Sequence, residues 1–286
     1  MNVKNKSHFS KNYIFSFIQD FINTFVRKHF SQMNKLSAVI ITFNEERNIL
    51  HCLNSLQGIV DEIIVVDSFS FDKTEEICKN FGVSFIQSAW KGYSESKNFA
   101  NSQANFDWIL SLDADEVLSK DLQKSILEEK RIGFSANYEF NRLTNYCGKW
   151  IRHGGWYPDK KVRLFEKEFT SWAGEIHEEL IFKQSKEIKF LKGDCLHYSY
   201  YSLSQHYNQA QKFTTIAAKD LVARGKKAPL YKLIFSPIVK FIRDYFLKLG
   251  FLDGKYGFIV ARISAYATYL KYKKIRQFSK LKTTKI

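Results

Sequence analysis

Nowhere does this 286-residue sequence sustain the roughly 18 uncharged apolar residues that a membrane-spanning helix needs. It has only three prolines and few Gly/Ser clusters, which argues against long flexible linkers. The four cysteines, Cys52, Cys78, Cys147 and Cys195, show no Cys-x-x-Cys spacing and no close pair. They read as reduced thiols of a cytosolic protein, packed like small apolar groups, and not as a zinc site. No internal repeat or low-complexity tract interrupts the chain. Its length suffices for one substantial domain with an appendage.

What the chain does contain is an apolar run that ends in acid. Trp108-Ile109-Leu110-Ser111-Leu112 leads into Asp113-Ala114-Asp115-Glu116. On extended backbone residues i and i+2 point the same way, so Asp113 and Asp115 are expected to face a common ligand. Two hard oxygen ligands, with positions left for phosphate, describe a Mg²⁺ or Mn²⁺ site. Upstream, Leu36 to Thr42 is apolar and β-branched, and Asn44 is placed to cap a helix from Glu45 to about Ser55. Glu62 to Val66 is a second such run, closed by Asp67. Asp72 then opens a helix from Lys73 to Asn80, with Glu75 at capping-box spacing. A short strand around Val83 to Gln87 and a helix from about Ser94 to Ala104 complete the alternation. Strands of this kind alternating with helices indicate an α/β domain whose mostly parallel sheet is covered on both faces. Ligands of such sheets bind beyond the carboxyl ends of the strands. Three strands deliver polar residues there: Thr42 with Asn44 and Glu45, then Asp67, then Asp113 with Asp115.

Charge is unevenly spread. Residues 221–286 carry 16 Lys/Arg against two acids, Asp244 and Asp253, and residues 1–35 carry six against one, while the middle is mildly acidic. In the C-terminal part the basic residues interleave with large apolar ones, as in Leu230 to Phe246. Helices of that kind suit the interface of an anionic membrane. Nucleic acid is not expected as a partner, because the apolar share is too high for a phosphate-tracking surface. Tyr13 to Val26 is apolar but broken by Asp20, without a cleavage site, and reads as an amphipathic surface helix.

Taken in order, Thr42-Phe43-Asn44-Glu45-Glu46, Val65-Val66-Asp67-Ser68, Lys97-Asn98 and Leu112-Asp113-Ala114-Asp115-Glu116 resemble the inverting glycosyltransferase family 2, whose catalytic domain has the GT-A fold. Trp156-Tyr157-Pro158, Arg163-Leu164-Phe165, Ile176-His177-Glu178-Glu179-Leu180 and Leu196-His197-Tyr198-Ser199 look like its subgroup of lipopolysaccharide core β-glucosyltransferases. The resemblance covers about Leu36 to Leu281. It implies that Thr42, Asn44, Glu45 and Asp67 hold the nucleotide, with Asp67 and Lys97 near the base. A divalent ion is expected on Asp115, with Asp113 nearby, to take up the charge of the leaving diphosphate; His197 would complete its sphere or contact the diphosphate, a lone histidine being more often structural. Glu178 is the implied catalytic base, with Glu175 and Glu179 as competitors, and His177 would orient it or touch the acceptor. Arg163, in a strand-like segment, suits bidentate pairing with phosphate; its plainer reading is a surface ion pair. Lys97 reads equally as a solvated helix lysine. The aromatics from Trp150 to Trp172 suit a sugar-stacking wall or an ordinary core. One departure is visible: the turn usually written Asp-Ser-Gly-Ser-Thr-Asp here reads Asp67-Ser68-Phe69-Ser70-Phe71-Asp72, and losing glycine is expected to reshape it.

The expected organisation is an N-terminal amphipathic segment (1–35), a GT-A-type α/β domain (36–220) and a basic amphipathic helical extension that associates with membrane (221–286). The expected activity is metal-dependent, inverting transfer of sugar from a nucleotide-sugar, with UDP the expected nucleotide. The acceptor would be lipopolysaccharide core or another lipid-linked glycan, at the cytosolic face of an anionic membrane. The alternatives are transfer to polyprenyl phosphate or another surface polysaccharide, and a non-catalytic nucleotide-sugar-binding scaffold. A nucleotidyltransferase would want a Gly-rich basic loop where Thr42-Phe43-Asn44-Glu45-Glu46 stands.

Overall fold

The computed structural model describes residues 34–174 and 178–283. The expected N-terminal amphipathic segment lies almost wholly outside them, as do Glu175 and His177. The first half alternates strand and helix: β1 (Leu36–Thr42), α1 (Ile49–Leu56), β2 (Glu62–Asp67), α2 (Thr74–Phe81), β3 (Ser84–Gln87), α3 (Tyr93–Ser102) and β4 (Trp108–Asp113). Then come β5 (Glu116–Leu118), α4 (Lys120–Ile132), β6 (Asn137–Tyr146), β7 (Lys149–Trp150), β8 (Lys160–Glu166), β9 (Thr170–Ala173), β10 (Glu179–Phe182) and β11 (Ile188–Tyr200). Helices α5 (Leu203–Ala223), α6 (Leu230–Ile242) and α7 (Gly254–Thr283) follow, α6 and α7 being joined by a π turn at Arg243–Leu247 and a 3₁₀ turn at Gly250–Asp253.

The main sheet runs β3-β2-β1-β4-β8-β6-β11-β5, with β7 paired to β6. Strands β3, β2, β1 and β4 are parallel, as near-continuous apolar runs predict, whereas β8 pairs antiparallel with both β4 and β6. Apolar side chains cover both faces. Ile49, Leu53, Leu56, Leu122 and Ile126 lie in the larger cluster on one face, and Ala100, Phe165 and Trp172 in a second cluster with Val39 and Ile64. The chain order reverses between β1 and β4, so their carboxyl ends border the crevice where α/β sheets take ligands.

Strand β11 crosses α4 closely at Gly193, whose φ is +109° and where a Cβ would sit 2.2 Å from the Leu122 nitrogen. The expected boundary at 220/221 falls inside α5, because the helix carries a full capping box at Ser202 and Gln205 and packs along α7. Hence the helical layer begins at Leu203.

Local chemistry departs from expectation at two helix starts. Asn44 does not cap. It takes a left-handed φ of 56°, which asparagine tolerates, and its Oδ1 accepts the Phe71 N–H at 3.0 Å, so α1 begins only at Ile49. Asp72 accepts from the N–H and hydroxyl of Thr74, while Glu75 pairs with Lys79 and closes no capping box.

Candidate active site

The turn that follows β2 is built by its own first residue. Asp67 is fully buried and accepts from both the N–H and the hydroxyl of Ser70. Ser70 Oγ in turn accepts the Asn44 N–H at 2.7 Å, lacing the β1 and β2 ends together. Both carboxylate oxygens of Asp67 are thus engaged in shaping this edge. Phe69 takes φ 59° despite its Cβ, a left-handed step that glycine adopts more easily. Its ring and those of Phe43 and Phe71 stand exposed at the rim, with Phe43 and Phe71 edge to face at 6.0 Å. Thr42 is buried, and its hydroxyl has no hydrogen-bond partner among the described residues.

Glu45 sits beside this edge and accepts from Asn48 Nδ2 at 2.7 Å. Burial raises its pKa to about 7, against the Asn48 hydrogen bond and with added repulsion from Asp115 and Asp72. The folded value lies above the ordinary 4.5, so between the two the folded protein keeps a proton that the unfolded chain has released. The stability that Glu45 contributes is therefore complete below pH 4.5 and declines as pH rises towards about 7. Glu45→Gln is expected to remove that decline. Urea midpoints of variant and parent should then diverge in the variant's favour across this window; parallel curves would show that Glu45 releases its proton normally.

The acidic triplet at the end of β4 is held by several cations. Asp113 lies 3.3 Å from Lys97 Nζ through one oxygen and 3.2 Å from Arg163 Nη2 through the other. Burial works to raise its pKa, but Lys97, Arg163 and His197 outweigh it and hold the carboxyl well below the usual range. Asp115 lies 3.1 Å from His197 Nε2 on β11. For His197, burial opposes the charged form, yet Asp115 raises its pKa on balance. The strand ends at Asp113 and Asp115 lies in the turn that follows, with His197 acting electrostatically on both acids.

Lys97 is not a solvated helix lysine. It is 2% exposed, and its Nζ joins Glu178 at 3.0 Å to Asp113, 4.7 Å from the ring centre of buried Trp172. Arg163 is no surface pair. It is 5% exposed, and its Nη2 meets Glu116 at 3.2 Å as well as Asp113, so one arm of the fork expected to take phosphate is held by carboxylates. Its Nη1 is buried without a partner among the described residues. Asn98 fixes β9, exchanging hydrogen bonds at 2.8 Å with both the N–H and the carbonyl of Trp172.

Sequence reasoning missed Glu116 and Arg142. Glu116 is fully buried, accepts the Asp113 N–H at 3.0 Å and lies 3.7 Å from Arg142. Glu116 was legible as the third acid of the triplet; nothing local marks Arg142. Of the aromatics from Trp150 to Trp172, Trp172 is buried under two cations, while half-buried Trp156 packs against Tyr146, Tyr200 and His206 and half-buried Trp150 against Tyr198.

A strand-reversal crevice edged by carboxylates, with a third carboxylate brought in by a buried lysine, defines an α/β transferase site of GT-A type. The family model described as glycosyl transferase family 2 matches residues 37–201. An uncharacterised glycosyltransferase of Rickettsia typhi is 36% identical over 86% of this chain and 88% of its own length. A lipopolysaccharide core biosynthesis glycosyltransferase, LpsC of Rhizobium meliloti, is 29% identical over 86% of this chain and 94% of its own. Among solved structures, glucosyl-3-phosphoglycerate synthase from Mycobacterium tuberculosis, in complex with Mn²⁺ and uridine diphosphate, overlaps 41% of this chain and 48% of that one. Its TM-score is 0.33 at 20% identity, an overlap too partial to bear on activity. The chain belongs to glycosyltransferase family 2.

Proposed function

We propose that the protein transfers a sugar, with inversion, from a nucleotide-sugar to a hydroxyl of a lipid-linked glycan such as lipopolysaccharide core. The observation that carries this reading is the convergence of Glu178 and Asp113 on buried Lys97 at the crevice. One lysine ties the proposed base to the donor-side acid, so both are held ready before substrate arrives.

Glu178 accepts the proton of the acceptor hydroxyl. The freed oxygen pair forms a bond to the anomeric carbon, and the bond from that carbon to the diphosphate oxygen breaks, its electrons leaving with the diphosphate. Attack from the face opposite the leaving group inverts the centre. Lys97 and Arg163 hold Asp113 ionised at the crevice, and the Asp67 turn with Asn44 shapes the edge proposed for the nucleotide, for which UDP remains the proposal. His177 and Glu175 keep the roles proposed from sequence, outside the described residues.

The donor set fits a divalent ion that depends on its substrate. Asp115 and His197 lie together, and among the described residues no group of three or more His, Cys, Asp or Glu forms a cage. Mg²⁺ or Mn²⁺ bound by one or two side chains takes its remaining ligands from phosphate and water. Bound there, the ion would neutralise the charge gathering on the departing diphosphate. Asp115→Ala is expected to abolish the Mn²⁺-dependent rise in melting temperature given by the matching nucleoside diphosphate, while metal-independent stability stays close to the parent's. A variant that keeps the Mn²⁺-dependent rise would take the metal away from Asp115.

The acceptor class rests on the LpsC relative and on the basic, apolar C-terminal helices. No helix among the described residues is long and apolar enough to cross a membrane. Peripheral contact at the cytosolic membrane face is the arrangement proposed.

A further inference from the structure

The C-terminal helices divide into two kinds. Helix α7 is a strut of the fold: Val260, Ala261, Ile263 and Leu270 are buried, and α5 and α6 pack along it. Helix α6 has no buried residue at all. Tyr231, Ile234, Phe235, Ile238, Val239 and Ile242 are each 46–61% exposed. They recur at i, i+3, i+4, i+7, i+8 and i+11, one continuous stripe on the side turned from α7. Phe246 and Leu247 continue it through the π turn, at 52% and 75% exposure. A run of exposed apolar side chains this long is costly in water and marks a contact surface.

Charge identifies what the stripe meets. Lys226, Lys227 and Lys232 are exposed beside it, along with Arg243 and Lys248. The only two acids between 221 and 286 are both withdrawn from the surface. Asp244 is 1% exposed and paired with Lys240 and Arg243. Asp253 is 6% exposed and accepts from the Arg152 and His153 backbones. The face therefore presents apolar rings and positive charge with no acid among them. A second copy of the chain would bring a like-charged face against it. An anionic lipid surface complements both features at once.

We propose that α6 lies in the plane of an anionic phospholipid surface, with the Tyr231–Ile242 stripe among the acyl chains and the flanking lysines on the headgroups. This names the surface behind the proposed lipid-linked acceptor, yet its test requires no sugar transfer, so its failure leaves the transfer reading standing. The full chain is sedimented with vesicles of phosphatidylcholine alone and of phosphatidylcholine mixed with phosphatidylglycerol. Binding is expected to the mixed vesicles, to weaken with salt, and to be poor on phosphatidylcholine. Phe235→Ser with Ile238→Ser should lower the partition coefficient by about tenfold or more with little change in melting temperature, since both residues are more than half exposed in the free protein. Lys226→Glu, Lys227→Glu and Lys232→Glu together should abolish the preference for anionic vesicles. Full binding by the serine variant would overturn the proposal and move the contact elsewhere, residues 1–33 first. A dimer in sedimentation velocity that the same serines dissociate would overturn it in favour of a second copy.

Discussion

Glu178→Gln is expected to lower kcat by about 10²–10⁴-fold while nucleotide-sugar affinity stays near the parent value. The amide keeps an oxygen where Glu178 Oε1 now accepts from Lys97 at 3.0 Å, so the segment's position survives and only the proton acceptor is lost. Affinity should hold because the edge proposed for the nucleotide, built by Asn44, Asp67 and Ser70, takes no hydrogen bond from Glu178. Single-turnover transfer with a saturating donor, beside a binding titration, checks both halves. A variant with the parent's kcat would send the base role to Glu175 or Glu179. Loss of donor binding would instead make Glu178 part of the donor site.

The largest expected effect on stability is at Arg163. Removing one partner of a buried ionic group leaves the others desolvated and unpaired, at a cost of about 3–5 kcal/mol. Arg163 lies between Asp113 and Glu116 and is itself buried, so Arg163→Met leaves Glu116 with Arg142 alone at 3.7 Å and Asp113 with Lys97 alone. Urea unfolding should show a much lower midpoint with little change in slope. Adding Glu116→Gln to that variant should recover part of the loss, because the acid left uncompensated is then neutral; the coupling expected for such neighbours is about 0.5–3 kcal/mol. A loss under about 1 kcal/mol for Arg163→Met would mean that water reaches the cluster and screens it.

These two residues also mark the limit of what the sequence discloses. Strands β1, β2 and β4 are legible because burial on both faces makes them unbroken apolar runs, and the residues that stop them, Asn44, Asp67 and Asp113, are polar where the sheet edge is polar. The crevice follows from that punctuation alone. Which carboxylate meets which cation does not. Arg163 reaches Asp113 because β8 pairs antiparallel with β4, with Ile109 opposite Phe165 and Leu110 opposite Leu164, a register that neither strand encodes locally. Lys97 looks like a surface lysine because a helix of mixed polarity gives no sign of which side faces inward; only Trp172 and the two acids explain its burial. Asn44 has two local uses, cap or left-handed turn, and the choice is made by Ser70 and Phe71, 26 and 27 residues away. His197 was legible as a ligand type, while its closeness to Asp115 depends on how β11 lies along β5.

The loop at 152–155 gives the buried Asp253 one more consequence. That carboxylate takes the N–H groups of Arg152 and His153, and the Gly154 N–H goes to the Lys248 carbonyl at 2.8 Å. Tyr146 and Ile151 pack on Val260 behind it. The segment carrying α6 is therefore riveted to the catalytic sheet and cannot swing on a tether. With α6 lying on a bilayer, the crevice stands at one fixed height above the headgroups. In that proposed arrangement the enzyme would work as a depth gauge, choosing among lipid-linked acceptors by how far the receiving hydroxyl rises from its anchor as well as by the sugar that bears it.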